Sequence, residues 1–104
     1  MATFKFEELN VYQLSLDIID NVYDLTLKFP KDEMYGLTSQ FRRATLSIAL
    51  NIAEGSGSTD KNFNRYLGIA SDTLKECIVC LTVAYRRKYI SEEENEQFRE
   101  SFLV

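Results

Sequence analysis

Histidine is absent from the 104 residues, there is one proline, there are two cysteines, and the longest uninterrupted apolar run is only a few residues. Each shortage excludes something. Without histidine there is no Glu-x-x-His element for a di-iron bundle, and two cysteines alone fall short of the four ligands of a structural zinc site. Two cysteines also make no disulfide framework, so reduced thiols are expected. Nothing in the chain is long and apolar enough for a transmembrane helix, and Met1-Ala2-Thr3-Phe4-Lys5 lacks the apolar centre of a signal peptide. A cytoplasmic protein without membrane contact is the expectation. The glycines cluster only at Gly55-Ser56-Gly57-Ser58, which follows a helical pattern and not a strand, so no nucleotide phosphate loop is present. No cofactor and no small-molecule substrate are expected, and the chain reads as a non-enzyme.

What is present is helical periodicity. With 45% apolar residues, the length suits one domain over residues 1–104. Val11, Leu14, Ile18, Val22, Leu25 and Phe29 recur at steps of three and four, and Pro30 stops this first helix. A second row, Tyr12, Leu16, Ile19, Tyr23 and Leu27, widens the stripe beyond what one neighbour covers, so part of it is expected to face another subunit. Thr38 is the expected N-cap of a second helix whose seam runs Leu37, Phe41, Ala44, Ile48 and Asn51. Ser47 and Ala53 allow close approach of a neighbour. Asn51 is expected to bond a partner helix or the backbone near the Gly55 turn, and so to set register. Glu54 and Gly55 close the helix, with glycines tolerant of positive φ, and the next helix returns as an antiparallel hairpin.

The third helix is expected over 60–88, capped by Ser58 or Thr59. Phe63, Leu67, Ala70, Leu74, Cys77, Leu81 and Ala84 alternate steps of four and three, and at ~1.5 Å per residue the helix is about 40 Å long. Ser91 and Glu94 form a capping box for a short fourth helix whose apolar row is Phe98 and Phe102, extended by Leu103 and Val104. That short helix leaves the bundle partly uncovered, and apolar surface of this kind marks an interaction site, or a place that further helix would cover.

Net charge is −4, but unevenly spread: residues 34–88 carry +4 and the remainder −8. Arg42 and Arg43, then Lys61 and Arg65, then Arg86, Arg87 and Lys88 beside Tyr85 and Tyr89 offer cations and stacking rings, the ingredients of single-stranded RNA contact. Cys77-Ile78-Val79-Cys80 falls mid-helix on the packed seam, where a thiol is a small hydrophobe and not a redox centre. Ser58-x-x-Lys61 is explained by capping, and Glu54, Asp72 and Glu76 by charge pairing with residues such as Lys75.

Together, Phe6-x-x-Leu9-x-Val11-Tyr12-Gln13, Phe29-Pro30-x-x-Glu33-x-Tyr35-Gly36-Leu37-Thr38-x-Gln40-x-Arg42-Arg43-Ala44 and Ser47-Ile48-x-x-Asn51-Ile52-Ala53-Glu54-Gly55 resemble the four-helix-bundle proteins encoded in intervening sequences of bacterial 23S rRNA genes. The resemblance implies an all-α, left-handed, antiparallel up-down-up-down bundle that forms a homo-oligomeric ring, typically a pentamer, with no established biochemical role. Accessory proteins of diversity-generating retroelements are similar in fold, and bind nucleic acid and a reverse transcriptase through a strongly basic ring. This similarity makes RNA or protein binding through the basic residues the alternative to a purely structural interaction module.

Overall fold

The computed structural model describes residues 2–102. Four α-helices account for most of it: α1 (Asn10–Thr26), α2 (Leu37–Gly55), α3 (Asp60–Arg86) and α4 (Glu92–Phe102), with single helical turns at Lys5–Glu8 and Lys31–Glu33 and no strand among the described residues. No described helix is long and apolar enough to cross a membrane. Leu103 and Val104 lie outside the described residues.

Local chemistry sets the ends. The Thr59 hydroxyl accepts from the Asn62 amide at 3.1 Å and opens α3. At α4 the capping box forms in both directions, the Ser91 amide donating to Glu94 Oε1 at 2.9 Å and the Glu94 amide to Ser91 Oγ at 3.1 Å. Thr38 does not cap α2. Gly36 holds that place, the Glu33 carboxylate faces the Leu37 amide, and Thr38 is buried inside the first turn. α3 ends at Arg86 and not at residue 88, because the chain turns left-handed at Lys88, with φ of 65°. There the Tyr89 amide reaches back to the Ala84 carbonyl and the Lys88 amide to that of Tyr85, a Schellman closure built on lysine where glycine is the usual residue.

α2 is the central element, packed most extensively on α3 and next on α1, while α4 rests more lightly on α3. Gly55 makes the α2 and α3 approach possible: a β-carbon on it would fall 2.6 Å from Tyr66 Cβ. Gly57, not Gly55, is the residue with positive φ in the connection. The core runs along α2 through Phe41, Ile48 and Ile52, against Val22 of α1 and Cys77 and Leu81 of α3. At one end, aromatic rings tie the elements together. Phe29 lies 6.5 Å from Phe41 and 5.5 Å from Tyr89, and Phe98 of α4 lies 6.2 Å from Phe41, edge-on.

The expected α2 seam drifts. Ile48 is followed into the core by Ile52, so Asn51 falls to the side of the buried stripe, half-exposed. Its amide donates within its own helix, to the Ser47 carbonyl at 2.8 Å and to Ser47 Oγ at 3.2 Å, and not to a neighbouring helix. A helix of 3.6 residues per turn rotates away from a strict heptad, which carries residue 51 off the buried stripe and residue 52 onto it.

Candidate functional site

The candidate cations separate into three groups. Arg42 is half-buried: its Nε donates to Thr26 Oγ1 at 2.8 Å and its guanidinium lies 4.7 Å from the centre of the Tyr23 ring. Thr26 is itself buried and donates to the Val22 carbonyl at 2.7 Å, so Arg42 is a tie between α2 and α1 and its cation is turned toward the protein. Arg43, one residue on, is exposed. Lys61 and Arg65 are exposed at the beginning of α3, Arg65 beside its neighbour Tyr66 at 5.0 Å. Arg86, Arg87 and Lys88 are exposed at the other end.

These groups do not converge. The 27 residues of α3 set its two cationic ends about 40 Å apart. Arg87 belongs to a small network at its end. Tyr89 donates to Glu33 Oε2 at 2.9 Å, and the Tyr89 hydroxyl, followed by the Glu33 and Asp32 carboxylates, favours the charged guanidinium of Arg87. Arg43, Lys61, Arg65, Arg86, Arg87 and Lys88 make no ion pair among the described residues, where the pairs are Lys28 with Glu94 and Lys75 with Asp72.

The remaining motif residues are structural in their contacts. Ser47 serves Asn51 as described, Gly55 is buried against Tyr66, and Glu54 is exposed on α2. Cys77 and Cys80 are free and buried. Burial pushes the Cys77 thiol up to about 12, with Cys80 and Glu76 adding to the shift, and burial likewise raises Cys80. With its thiolate made scarce at neutral pH and its sulfur buried, each cysteine is a poor nucleophile. Asp72 pairs with Lys75 at 3.7 Å on the exposed side of α3.

Besides Val79 and Val83 on the outer side of α3, two apolar surfaces remain without cover. One is a groove of about 440 Å³ between α1 and α3, walled by Leu14 and Ile18 on one side and Leu67 and Leu74 on the other, with the buried Ile48 and Ile52 of α2 beneath. Phe102 of α4 also lines it, and Asp17 stands on the α1 wall. The other surface is spread over the outer sides of α1 and α2, where Tyr23, Leu27, Leu46 and Leu50 are exposed. A shallow dent there, about 240 Å³, is lined by Tyr23, Met34, Thr38, Arg42, Arg43 and Leu46. The second row of α1 already pointed to the outer surface. The short fourth helix pointed to an uncovered part of the bundle, and the groove with Phe102 at its edge lies there; that α1 and α3 wall it was not expected.

A family model described as 23S rRNA-intervening sequence protein matches residues 7–102. The chain belongs to this family. The match spans all four helices, so the intervening sequence proteins account for the elements that carry both apolar surfaces and every candidate cation. A search of curated proteins gives no significant match.

Proposed function

We propose that this intervening sequence protein is a non-enzymatic interaction module that works as a homo-oligomer, its helices arranged as a left-handed, antiparallel up-down-up-down bundle and its copies closed into a ring, for which five is the family's expected number. The observation that carries this reading is the apolar surface left on a chain with a complete core of its own: Leu27 is 76% exposed, Val79 61% and Leu50 57%. Where such surface is gathered, as in the groove between α1 and α3 and in the Leu46 and Leu50 pair on α2, it marks a contact with another macromolecule. The arrangement of α2 between its sequence neighbours, with connections of ten, four and five residues, supports the up-down order. Sedimentation velocity at micromolar concentration tests the reading. A discrete mass above that of one 12.1 kDa chain supports it, and a monomer at every concentration sinks it.

RNA binding is the second reading, favoured by six exposed cations that make no ion pair among the described residues, Arg87 having carboxylates, Glu33 and Asp32, in its surroundings. Phosphate contacts release counterions, so affinity for a labelled single-stranded RNA is expected to fall steeply as salt rises. Reversal of Arg86 and Arg87 to glutamate is expected to weaken it. Unchanged affinity in that variant removes the α3 end as the contact.

A further inference from the structure

The groove and the outer face of α2 are compatible in length and carry opposite charges. Along α1 the groove wall extends from Val11 to Asn21, which is about 15 Å of helix. On the far side of α2, Leu46 and Leu50 are four residues apart and exposed, so they form one ridge. At about 100° per residue this ridge points away from Ile48 and Ile52, which lie beneath the groove. Arg43 continues the ridge one turn earlier, and from Arg43 to Leu50 the span is about 10 Å, shorter than the groove wall.

The charges have opposite signs. Asp17 on the groove wall is exposed and has no ion-pair partner among the described residues, and the same holds for Arg43 on the ridge. A competing ridge exists on α3, where Val79 and Val83 are exposed. There the residue one turn before the first apolar one is Glu76, exposed, so the equivalent register sets carboxylate against carboxylate. Like charges brought together select against that alternative.

We infer that the groove between α1 and α3 receives the α2 ridge of a second copy, with Leu46 and Leu50 seated against Leu14, Ile18 and Leu74 and with Arg43 paired to Asp17. This rests on the oligomeric reading above and names its contact surface. Groove and ridge lie on opposite sides of α2, so the contact is heterologous: each copy offers a ridge to one neighbour and a groove to another. Such a contact propagates until the rotation closes it into a ring.

The experiment is sedimentation velocity on the full chain and on four variants, with helix content checked by circular dichroism. All the altered side chains are exposed, so each variant keeps its own core. Leu50→Glu is expected to weaken assembly about tenfold or more, since a charge replaces a leucine that the contact buries. Asp17→Arg and Arg43→Asp are each expected to weaken it several-fold by setting like charges together, and the double variant Asp17→Arg/Arg43→Asp to recover most of the loss. If the wild-type chain assembles but the single variants keep its mass, or the double variant does not recover, this contact is wrong and the module uses another face. A wild-type chain that is monomeric throughout removes the oligomeric reading itself.

Discussion

Gly55 and Tyr66 meet so closely that a β-carbon at residue 55 would stand 2.6 Å from Tyr66 Cβ and 2.9 Å from its ring. The Tyr66 Cβ is fixed to the α3 backbone, so the neighbour cannot step aside by a rotamer change. Gly55→Ala is therefore expected to destabilise the protein by about 1–3 kcal/mol, the usual cost of overpacking. Gly68 is the control. It lies exposed within α3 with nothing inside 4 Å of an added β-carbon, so Gly68→Ala is expected to gain about 0.5–1 kcal/mol from helix propensity. Urea denaturation of both variants checks the pair, and loss at neither position would show that the helices separate at Gly55 without strain.

Arg42 and Arg43 are adjacent in sequence and opposite in role. Arg42→Ala removes the bond to Thr26 and the contact with Tyr23, for an expected loss of about 1–2 kcal/mol. Arg43→Ala, at an exposed site, is expected to stay within about 0.5 kcal/mol. The same denaturation measurement separates them, while any effect of Arg43 is expected in assembly or in RNA affinity.

Lys28 bonds the Glu94 carboxylate, and with the Ser91 amide this holds Glu94 below its usual titration range. A carboxylate whose folded pKa is depressed stabilises above its unfolded value, and the contribution disappears as pH falls through the folded one. Glu94→Gln keeps an oxygen for the Ser91 amide but loses the ion pair. It is expected to cost about 0.5 kcal/mol at neutral pH, a small amount because Lys28 is mostly in water. The difference from the unaltered protein is expected to shrink in high salt, and to vanish only in acid strong enough to protonate Glu94 in the folded protein, below its depressed value. Thermal melts from neutral pH into acid measure it.

Cys77 gives the opposite sign. Its thiol is raised from 9.0 to about 12 by burial and its neighbours, so its contribution is complete below pH 9.0 and is lost as pH rises toward 12. Stability of the unaltered protein is expected to fall more steeply over that interval than that of Cys77→Ala, which is less stable at neutral pH but lacks the titration. At neutral pH a thiol reagent is expected to label Cys77 and Cys80 only as the core opens, which a stopped labelling series in increasing urea reads directly.

The first three α-helices were legible from periodicity alone, because each carries an apolar row long enough to register. Both sides of the capping box at Ser91 and Glu94 were legible too, since a cap depends on a few adjacent residues. What depended on neighbours was not. Asn51 shared a seven-residue step with Ala44, and only the orientation of α2 between two partners shows that Ile52 takes the buried place. Gly55 looked like a turn glycine because it preceded Ser56 and Gly57, whereas its lack of a side chain is needed by Tyr66, eleven positions away. Arg42 and Arg43 looked alike as cations. The difference between them is Thr26 and Tyr23 on another helix, which no local pattern encodes. Lys88 occupies a left-handed position that sequence reasoning assigns to glycine, so the end of α3 was placed two residues late.

The light seating of α4 divides the molecule into two levels of stability. Besides the packing of Phe98, α4 is held by its cap, by Lys28 with Glu94, and by Arg99 Nη2 donating to Thr82 Oγ1 at 2.7 Å. Undocking it leaves the contacts of α2 with α1 and α3 in place. Backbone amides of α4 are thus able to exchange with solvent through a partial opening, whereas those of α2 exchange only when the whole structure opens. Because Phe102 lines the groove, whatever fills that groove also grips the end of α4, and binding there would be read as slower deuterium uptake in a helix that carries little of the binding surface.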